Sequence, residues 1–500
     1  MQPAEPRRRG PTYSIQLTAL LLLTLGLRLY HLDTPAIDGF WAKQVSIANK
    51  ARAMAGPPLT LLGGSYDFLP PDGRRVPFTE EIPLYHGILA IGYRLFGEQD
   101  WFARAVSSIG SLVAIAALCG LVRRESNERT AIVAGVLFAS CPLLIFYGRA
   151  IQPDVWMLAG ILLAAWCYRR FLDAGQVRWL IASALATLLA TVWKYYGLMV
   201  LLPIAEMAWR RRGWRALLHY EFWCPALVAS LPVACWMLLV FGQTANPARD
   251  GVYFIFQQPE VLWQSKLLHR FFDRFLFKGC GPVLVPLIAI GLCVAWKQRR
   301  TMRWLGVWIA TGLLFYLLLA PKSVGHEYYG LLLLPAAAMC GAIGWTACFC
   351  RPAASSRGGL AARRAGAAVL VLAVVVHSPW VMNRRFKTHE GMVAAAARLR
   401  EICPPDARII VGPRTPWPIV HYACREGWLW EETPLDDWPA VFGRYRALGA
   451  QYVVLYFDPA GPEMQAPCYR EMLGRLPVVA HGSGPESRQH FAYEFFILRL

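Results

Sequence analysis

The sequence predicts a polytopic α-helical membrane protein with a small α/β domain at its C-terminal end. Of the 500 residues, 56% are hydrophobic and only 17% are charged, a balance too apolar for a soluble chain of this length. Apolar runs of about bilayer-spanning length recur as far as residue 381. From about residue 384 the pattern changes to short β-rich runs that alternate with helical ones, which is typical of α/β folds.

The apolar runs predict about eleven transmembrane helices. The first begins near Ser14, and because no small-residue cleavage site follows it, we interpret it as an uncleaved signal anchor. The segments 178–193 and 196–209 are short and are divided by Lys194, and counting both as spans keeps every basic loop on one side. The other spans lie near 102–122, 130–147, 153–170, 222–241, 279–296, 304–320, 328–349 and 365–381.

The positive charge lies between the apolar runs. The net charge is +19, and residues 1–383 hold 37 Lys/Arg against 19 Asp/Glu, whereas residues 384–500 hold 14 against 13. Short basic clusters between helices are typical of cytoplasmic loops and exclude a groove that follows nucleic-acid phosphates. We therefore predict an inner (plasma) membrane protein with a cytoplasmic N-terminus, a periplasmic or extracellular C-terminal domain and no nucleic-acid partner. The 13 cysteines show no CxxC spacing, which argues against a zinc site.

We predict two domains. Residues 1–383 form the membrane domain, whose outer loop 31–101 carries two interfacial helices, and residues 384–500 form the outer α/β domain. In the first interfacial helix apolar residues recur at helical spacing after Phe40, while Lys43 lies on the polar face, where it would attract anionic membrane lipids. The strands of the α/β domain are predicted at RIIVG (408–412), YVVLYF (452–457), PVVAH (477–481) and EFFILRL (494–500).

Two acidic residues are the candidate catalytic groups. Asp38 lies on a turn made by Pro35 and Gly39, and we expect it to be exposed at headgroup depth. Asp154 follows Pro153 at the outer start of a helix, where a carboxylate suits the positive end of the helix dipole. On the same side and at the same depth, the two could bind a divalent cation (Mg²⁺ or Mn²⁺) or divide the roles of base and orienting group. A solvated loop aspartate and a helix N-terminal charge explain the same two residues.

Cationic and aromatic residues at the predicted outer ends of spans are the candidate substrate-binding groups. Arg149 could pair with Asp154 or hold a phosphate through two bonds, and Lys194 is a lone cation between apolar segments. A snorkelling lysine, an interfacial aromatic belt and a membrane anchor explain some of these positions equally well. The remaining candidates are Arg104, His326, Glu327, Tyr328 and Tyr329.

The order of the motifs resembles that of a known family. An outer acid after the first span is followed by E-x-P-L-Y-x-x-x-x-A (81–90), LFG, W-F-A-R, G-R-A-x-x-P-D (148–154), a lysine at 194 and H-E-Y-Y-x-L-L-L-L-P (326–335). This order is similar to that of the membrane glycosyltransferases of the GT-C fold. The nearest group is that of the dolichyl-phosphate-mannose protein mannosyltransferases and of the bacterial enzyme that transfers aminoarabinose to lipid A.

The resemblance implies a hexosyl- or pentosyltransferase. Its donor would be a polyprenyl-phosphate-linked sugar reached from the outer leaflet, and its acceptor a lipid, glycan or protein outside the cytoplasm, with inversion at the sugar. By position, Asp38 matches the candidate base and Asp154 the second acidic position, while Lys194 and the turn 326–329 lie where the lipid phosphate is expected.

Two departures from the family pattern bear on the site. Gly39 stands where the family usually has Glu after the first acid, which weakens the case for metal binding. Glu81 and Ile82 stand where related enzymes often have Lys and a second Pro, so that a phosphate contact there would be missing.

Two other classes of function fit the apolar, helix-rich sequence. A transporter or lipid flippase would place ionisable residues near the bilayer midplane, whereas most candidates here lie at the outer ends of spans. A non-catalytic membrane scaffold, whose C-terminal domain binds a partner, would bind substrate without turnover.

Overall fold

The structure is a computed structural model that describes residues 11–61, 63, 65–75, 81–241, 258–350, 357–372, 378–413, 417–430, 437–459, 461, 466–485 and 492–500. The chain divides into two compact units. The helical unit comprises Met1–Leu32, Thr79–Ile82 and Arg104–Met382. The sheet unit comprises Asp33–Phe78, Pro83–Ala103 and Asn383–Leu500.

Helices dominate the described residues. Short 3-10 helices (Tyr195–Val200, Gly213–Leu218, Pro259–Trp263 and Glu327–Leu333) and a π-helix (Phe271–Cys280) interrupt the series. The α-helices are α1 (Pro11–Leu29), α2 (Trp41–Ala55), α3 (Leu84–Phe96), α4 (Asp100–Glu125), α5 (Glu128–Ser140), α6 (Pro142–Tyr147), α7 (Asp154–Ala174), α8 (Val177–Trp193), α9 (Leu201–Arg212), α10 (Tyr220–Phe241), α11 (Ser265–Arg270), α12 (Leu284–Trp296), α13 (Arg299–Leu318), α14 (Ala320–Gly325), α15 (Leu334–Cys350), α16 (Arg357–Val371), α17 (Ser378–Arg385), α18 (Glu390–Ile402), α19 (Trp417–Ala423), α20 (Trp438–Ala447) and α21 (Pro467–Arg475).

The protein is a multi-pass membrane protein. Within the described ranges, six helices are long and apolar enough to cross a bilayer, and a pair bent by 105° (Ser265–Cys280 with Leu284–Trp296) would make a seventh. The count of eleven spans stays a prediction. The predicted run 130–147 is two helices, because the chain breaks at Cys141 and Pro142 begins the next helix. The segment 178–193 is the shorter apolar helix α8, and 196–209 starts as a 3-10 turn before α9. Part of the predicted span 365–381 lies outside the described residues.

Two glycines let α12 and α15 approach closely within the helical unit. A Cβ added at Gly291 would collide with the Cys340 carbonyl oxygen, and one at Gly344 would collide with the Leu287 carbonyl oxygen. Small residues at such crossings bring helix backbones into van der Waals contact, which is a principal source of helix association in lipid. These glycines therefore set the distance between the two helices.

The substitution Gly291→Ala tests this contact. We expect a lower melting temperature in detergent, because the added methyl group forces the backbones apart at a cost of about 1–3 kcal/mol. Gly306→Ala in α13 is the matched control, since its Cβ would meet only the Met302 methyl group at 3.7 Å. That change should be neutral or stabilising, because it removes the conformational freedom of a helical glycine. Equal melting temperatures for the two variants would contradict the proposed role of Gly291.

The sheet unit contains a five-stranded sheet, whose strands are β1 (Arg408–Gly412), β2 (Gly427–Leu429), β3 (Ala450–Phe457), β4 (Val478–Pro485) and β5 (Ala492–Arg499). Their order in the sheet is β2-β1-β3-β5-β4. Strands β2, β1 and β3 are parallel to one another, and β5 and β4 pair in antiparallel fashion. Helix α18 precedes β1 and helices α19 to α21 lie between the strands in the chain, so the predicted small α/β domain is confirmed. The three-residue strand β2 was not predicted from the sequence, because the run Gly427–Leu429 is too short to give a period-two pattern.

Helix α2 is buried within the sheet unit more completely than its amphipathic pattern predicts. Its buried residues include Asn49 and Lys50, two polar residues of an amphipathic helix that are ordinarily exposed. Asn49 exchanges two hydrogen bonds with Asp67, and Lys50 lies 4.4 Å from the centroid of the Tyr66 ring. The polar face of α2 thus packs against the segment 65–68. Helix α3 leaves Ile91, Leu95 and Phe96 exposed, and its interfacial position stays a prediction.

Packing groups most of the outer loop with the C-terminal residues. The chain divides between Met382 and Asn383, next to the predicted boundary at 383/384. Residues 33–78 and 83–103 belong to the sheet unit, whereas the sequence analysis placed the loop 31–101 in the membrane domain. Phe68 pairs with Gly427 as an isolated parallel bridge, which extends the β2 edge of the sheet with a residue from the loop.

Candidate active site

A buried ion pair joins two predicted site residues of the helical unit. Asp154 is the first residue of α7, after Pro153, and Lys194 ends α8 just before a 3-10 turn. The Lys194 Nζ lies 2.9 Å from the Asp154 Oδ1, and the side chains are only 4% and 5% exposed. The two short apolar segments around Lys194 therefore bring an ammonium group to the N-terminus of a long helix.

A second carboxylate and an aromatic ring complete the surroundings of this ammonium. The Glu81 Oε1 lies 3.7 Å from the Lys194 Nζ, and the centroid of the Tyr328 ring lies 5.3 Å from it. Burial by itself lowers the pKa of Lys194, but Asp154 and Glu81 outweigh it and raise the pKa above its usual value. The two carboxyl groups therefore favour the cationic form of Lys194.

The predicted turn 326–329 lies against Lys194 as an aromatic wall. Tyr328 and Tyr329 are buried, with ring centroids 4.5 Å apart, and the His326 ring stacks on Tyr328 at 5.6 Å. The Tyr147 hydroxyl donates a hydrogen bond of 3.1 Å to the Glu327 Oε1. The structure thus brings Glu81, Asp154, Lys194 and the turn into one cluster.

Arg149 stabilises the turn that leads to Asp154. Its Nη1 donates to the backbone carbonyl oxygens of Tyr30 and His31, the latter at 2.7 Å, and its side chain is fully buried. Asp154 pairs with Lys194 and Arg149 binds the end of α1, so of the two alternatives for Arg149 the pair with Asp154 is not the one observed. Arg104, in α4, is also fully buried, which disagrees with the alternative that it is an exposed membrane anchor. Whether either arginine contacts a phosphate stays a prediction.

The turn also contains a residue that the sequence analysis did not select. Gln152 is fully buried, and both polar atoms of its side chain lack a hydrogen-bond partner among the described residues. The Asp154 Oδ2 is likewise buried without a partner there. A buried polar atom without a hydrogen bond costs about 1–3 kcal/mol. The available signal was the amide of Gln152, which lies two residues before the candidate acid.

Asp38 and Lys43 lie in the sheet unit. Asp38 is fully buried, so the expectation of an exposed carboxylate is wrong. The turn before α2 brings Asp38 near the first turn of that helix, where the Gln44 Nε2 donates a hydrogen bond of 2.6 Å to the Asp38 Oδ1. The Gly39 amide donates to the Arg385 carbonyl oxygen at 3.1 Å, and Lys43 is half-buried. The convergence of Asp38 with Asp154 stays a prediction.

The cluster around Lys194 does not fit a divalent cation. Two carboxylates are present, but the Lys194 ammonium already lies within reach of both. No group of three or more His, Cys, Asp or Glu side chains that could hold a metal occurs among the described residues. A shared metal site of Asp38 and Asp154 stays a prediction.

The chain is similar to known membrane glycosyltransferases. Residues 80–238 match the sequence profile of the dolichyl-phosphate-mannose-protein mannosyltransferase family. ArnT from Cupriavidus metallidurans, solved bound to undecaprenyl phosphate, superimposes with a TM-score of 0.66 at 13% identity, over 98% of each chain. The chain has the GT-C glycosyltransferase fold. The resemblance noted from the motifs is therefore confirmed.

Two further GT-C structures resemble the chain. The oligosaccharyltransferase of Archaeoglobus fulgidus, solved with Zn and sulfate, gives a TM-score of 0.55 at 13% identity, over 89% of this chain and 68% of its own. The arabinofuranosyltransferase AftD from mycobacteria gives 0.59 at 16% identity, over 98% of this chain and 40% of its own. No curated protein matches the sequence. At these identities the structural likeness establishes the fold, and the reaction has to be argued from the site.

The substitution Lys194→Met tests the energetics of the cluster. We expect a loss of stability of about 3–5 kcal/mol, because two buried carboxylates lose their counter-ion. Asp154→Asn should cost less, since Lys194 keeps Glu81. Lys278→Met is the matched control, because its 2.7 Å pair with Asp273 is largely exposed and should contribute about 0–1 kcal/mol. Melting temperatures in detergent measure all three, and a Lys194→Met variant as stable as Lys278→Met would contradict this account.

Proposed function

We propose that the protein is an integral-membrane glycosyltransferase that moves a sugar from a polyprenyl-phosphate donor to an acceptor. The observation that carries this proposal is the buried cluster of Lys194, Asp154 and Glu81 beside an aromatic wall. All three residues fall inside the segment 80–238 that matches the mannosyltransferase family. The undecaprenyl phosphate bound by ArnT, a protein of the same fold, supports a lipid-linked donor for this chain.

The proposed reaction is a displacement at the anomeric carbon with inversion. The Asp38 carboxylate takes the proton of the acceptor hydroxyl, and the acceptor oxygen forms a bond to the anomeric carbon. The bond between that carbon and the phosphate oxygen breaks, and its electron pair leaves with the polyprenyl phosphate. Asp38 suits the role of base chemically, because a carboxylate can accept the proton of a hydroxyl, and the hydrogen bond from the Gln44 amide orients it.

Lys194 is the proposed partner of the leaving phosphate. An ammonium group in a dry site stabilises developing negative charge more strongly than it would in water. Since Asp154 and Glu81 already neutralise it, additional positive charge is needed, and a protonated His326 and Arg149 are the proposed sources. Asp154 then acts as an orienting group that fixes the position of the Lys194 side chain.

Gln152 and Asp154 are proposed to bind hydroxyl groups of the sugar. A hydroxyl both donates and accepts hydrogen bonds, and the amide of Gln152 offers both kinds of group, whereas a phosphate would use only donors. The unpartnered Asp154 Oδ2 would accept from a neighbouring hydroxyl. Because Gln152 is fully buried, side chains around the turn have to move before the sugar reaches it.

The proposed orientation places the reaction on the non-cytoplasmic side of the inner (plasma) membrane. Exposed basic residues flank the start of α13, and Arg123 and Arg124 lie in the last turn of α4. The positive-inside rule assigns these ends to the cytoplasm. Asp154 and Lys194 lie at the helix ends that the same rule assigns to the outer side. The acceptor, whether lipid, glycan or protein, would therefore meet the donor outside the cytoplasm.

The substitution Asp38→Asn tests the proposed base. In membranes supplied with radiolabelled polyprenyl-phosphate sugars, we expect transfer to fall by about 10²- to 10⁴-fold, the usual contribution of a general base. Asp33→Asn is the control, because Asp33 is a neighbouring exposed acid and its loss should leave transfer unchanged. Unchanged transfer in Asp38→Asn would remove Asp38 from the mechanism. If the wild type transfers sugar from none of the donors but moves labelled lipid or solute, the transporter or flippase class is favoured instead.

The substitution Gln152→Leu tests the proposed sugar contact. We expect kcat/KM to fall by about 10- to 100-fold, because the sugar hydroxyl loses its partner. The melting temperature should be unchanged or higher, since an unpartnered buried amide is removed. Gln176→Leu, at an exposed position before α8, should change neither quantity. If Gln152→Leu loses activity only in proportion to stability, Gln152 has a structural role and the proposed contact is wrong.

A further inference from the structure

A cavity of about 230 Å³ lies among helix ends of the helical unit, away from the proposed active site. Its lining includes the end of α4 and the start of α5, the junction of α12 with α13, and the last turns of α15. The polar residues that line it are Ser126, Asn127, Thr130, Gln298, Thr301 and Thr346. No carboxylate contributes to this lining. The cavity is therefore polar but without negative charge.

The hydrogen bonds within the lining leave both donors and acceptors for a ligand. Thr130 and Thr301 donate their hydroxyl protons to the side-chain oxygens of Asn127 and Gln298, each at 3.1 Å. The Gln298 amide protons have no partner among the described residues and remain available to accepting oxygens. The hydroxyl oxygens of Thr130, Thr301 and Thr346 keep lone pairs that can accept from a hydroxylated ligand.

Basic residues flank Gln298, one of the residues that line the cavity. Lys297, Arg299 and Arg300 are exposed and form no ion pair within the part of the chain that the structure describes. The side chain of Gln298 does not cap the backbone amides at the start of α13, so these amides add a positive dipole end on the same side. The nearby Arg123 and Arg124 already pair with Glu128 and Asp173. An anion is the ligand that this environment favours.

The level of the cavity relative to the membrane indicates that the anion belongs to a lipid. It opens at the ends of apolar helices, and Trp296, at the end of α12, is 78% exposed, as is typical of a residue at the membrane interface. Val294 and Ile343 provide an apolar part of the lining. A phosphate group of a lipid would lie at this level, with its acyl chains along the neighbouring helices, whereas a soluble anion would make no use of the apolar part.

We propose that this cavity binds the headgroup of an anionic phospholipid, with the phosphate near Lys297 and Arg300 and headgroup hydroxyls on the threonines. Basic pockets between membrane helices bind such headgroups through the same combination of charge and hydrogen bonds. The bound lipid joins α5, α13 and α15, so it stabilises their packing. The site is independent of the proposed transferase reaction.

The test compares the full chain, purified in detergent, with phosphatidylglycerol, phosphatidylcholine and soluble glycerol phosphate. Native mass spectrometry measures bound lipid, and the melting temperature measures its effect. The wild type should bind phosphatidylglycerol in preference to phosphatidylcholine and melt at a higher temperature with it. Equal binding of both lipids would overturn the proposal. Equal stabilisation by glycerol phosphate would show a soluble phosphate site and would also overturn it.

Two matched pairs of variants locate the site. Ala347→Leu fills the cavity and should lower lipid binding by about tenfold or more, whereas Ala361→Leu, the same change at an exposed position of α16, should not. The double variant Lys297→Gln/Arg300→Gln should lower it by about tenfold or more without filling the cavity, since each basic residue near an anionic lipid contributes about fivefold. Arg363→Gln/Arg364→Gln, in exposed positions of α16, is its control. If each variant and its control lose lipid binding to the same extent, the assignment of the site is contradicted.

Discussion

The helical unit depends on one desolvated ammonium group, that of Lys194, held between the carboxylates of Asp154 and Glu81. Removing an ammonium from water is unfavourable by several kcal/mol, and only close counter-ions compensate for it. Each counter-ion comes from a different part of the chain, one from the start of α7 and one from the segment Thr79–Ile82. The ion cluster therefore fixes α7, the end of α8 and that segment together, and it gives the aromatic turn 326–329 a surface to pack against.

The turn before α7 combines a fixed backbone with polar atoms that have no partner among the described residues. Arg149 binds backbone carbonyl oxygens at the end of α1, while both side-chain polar atoms of Gln152 and the Asp154 Oδ2 lack such a partner. Polar groups that are buried and unsatisfied are uncommon, and they persist mainly where function compensates for the loss of stability. The two oxygens of Asp154 therefore differ in role. One stabilises the fold by binding Lys194, and the other remains available to a ligand.

The rest of the helical unit is organised by constraints of the lipid environment. Helices in a bilayer gain little from the hydrophobic effect, so close backbone contact, as at Gly291 and Gly344, contributes to their association. At the opposite helix ends, the uncharged polar cavity and the three exposed cations around Gln298 form an environment that differs in charge from the cluster at Lys194. One end of the unit is built around paired charges, and the other around positive charge that remains available to the surroundings.

The sequence by itself determined the membrane class, the α/β character of the C-terminal residues and the GT-C resemblance, because hydropathy and strand patterns are local and the order of motifs lies along the chain. It also selected Asp154, Lys194 and the turn 326–329 separately. Only the tertiary structure decided that Lys194 pairs with Asp154 and Glu81 while Arg149 binds carbonyl groups, since a partner for a charge is chosen by distance in space. The burial of Asp38 and of the polar face of α2 also depends on the tertiary structure. A polar residue can be buried when distant parts of the chain supply its partners, and the local sequence pattern does not show those partners.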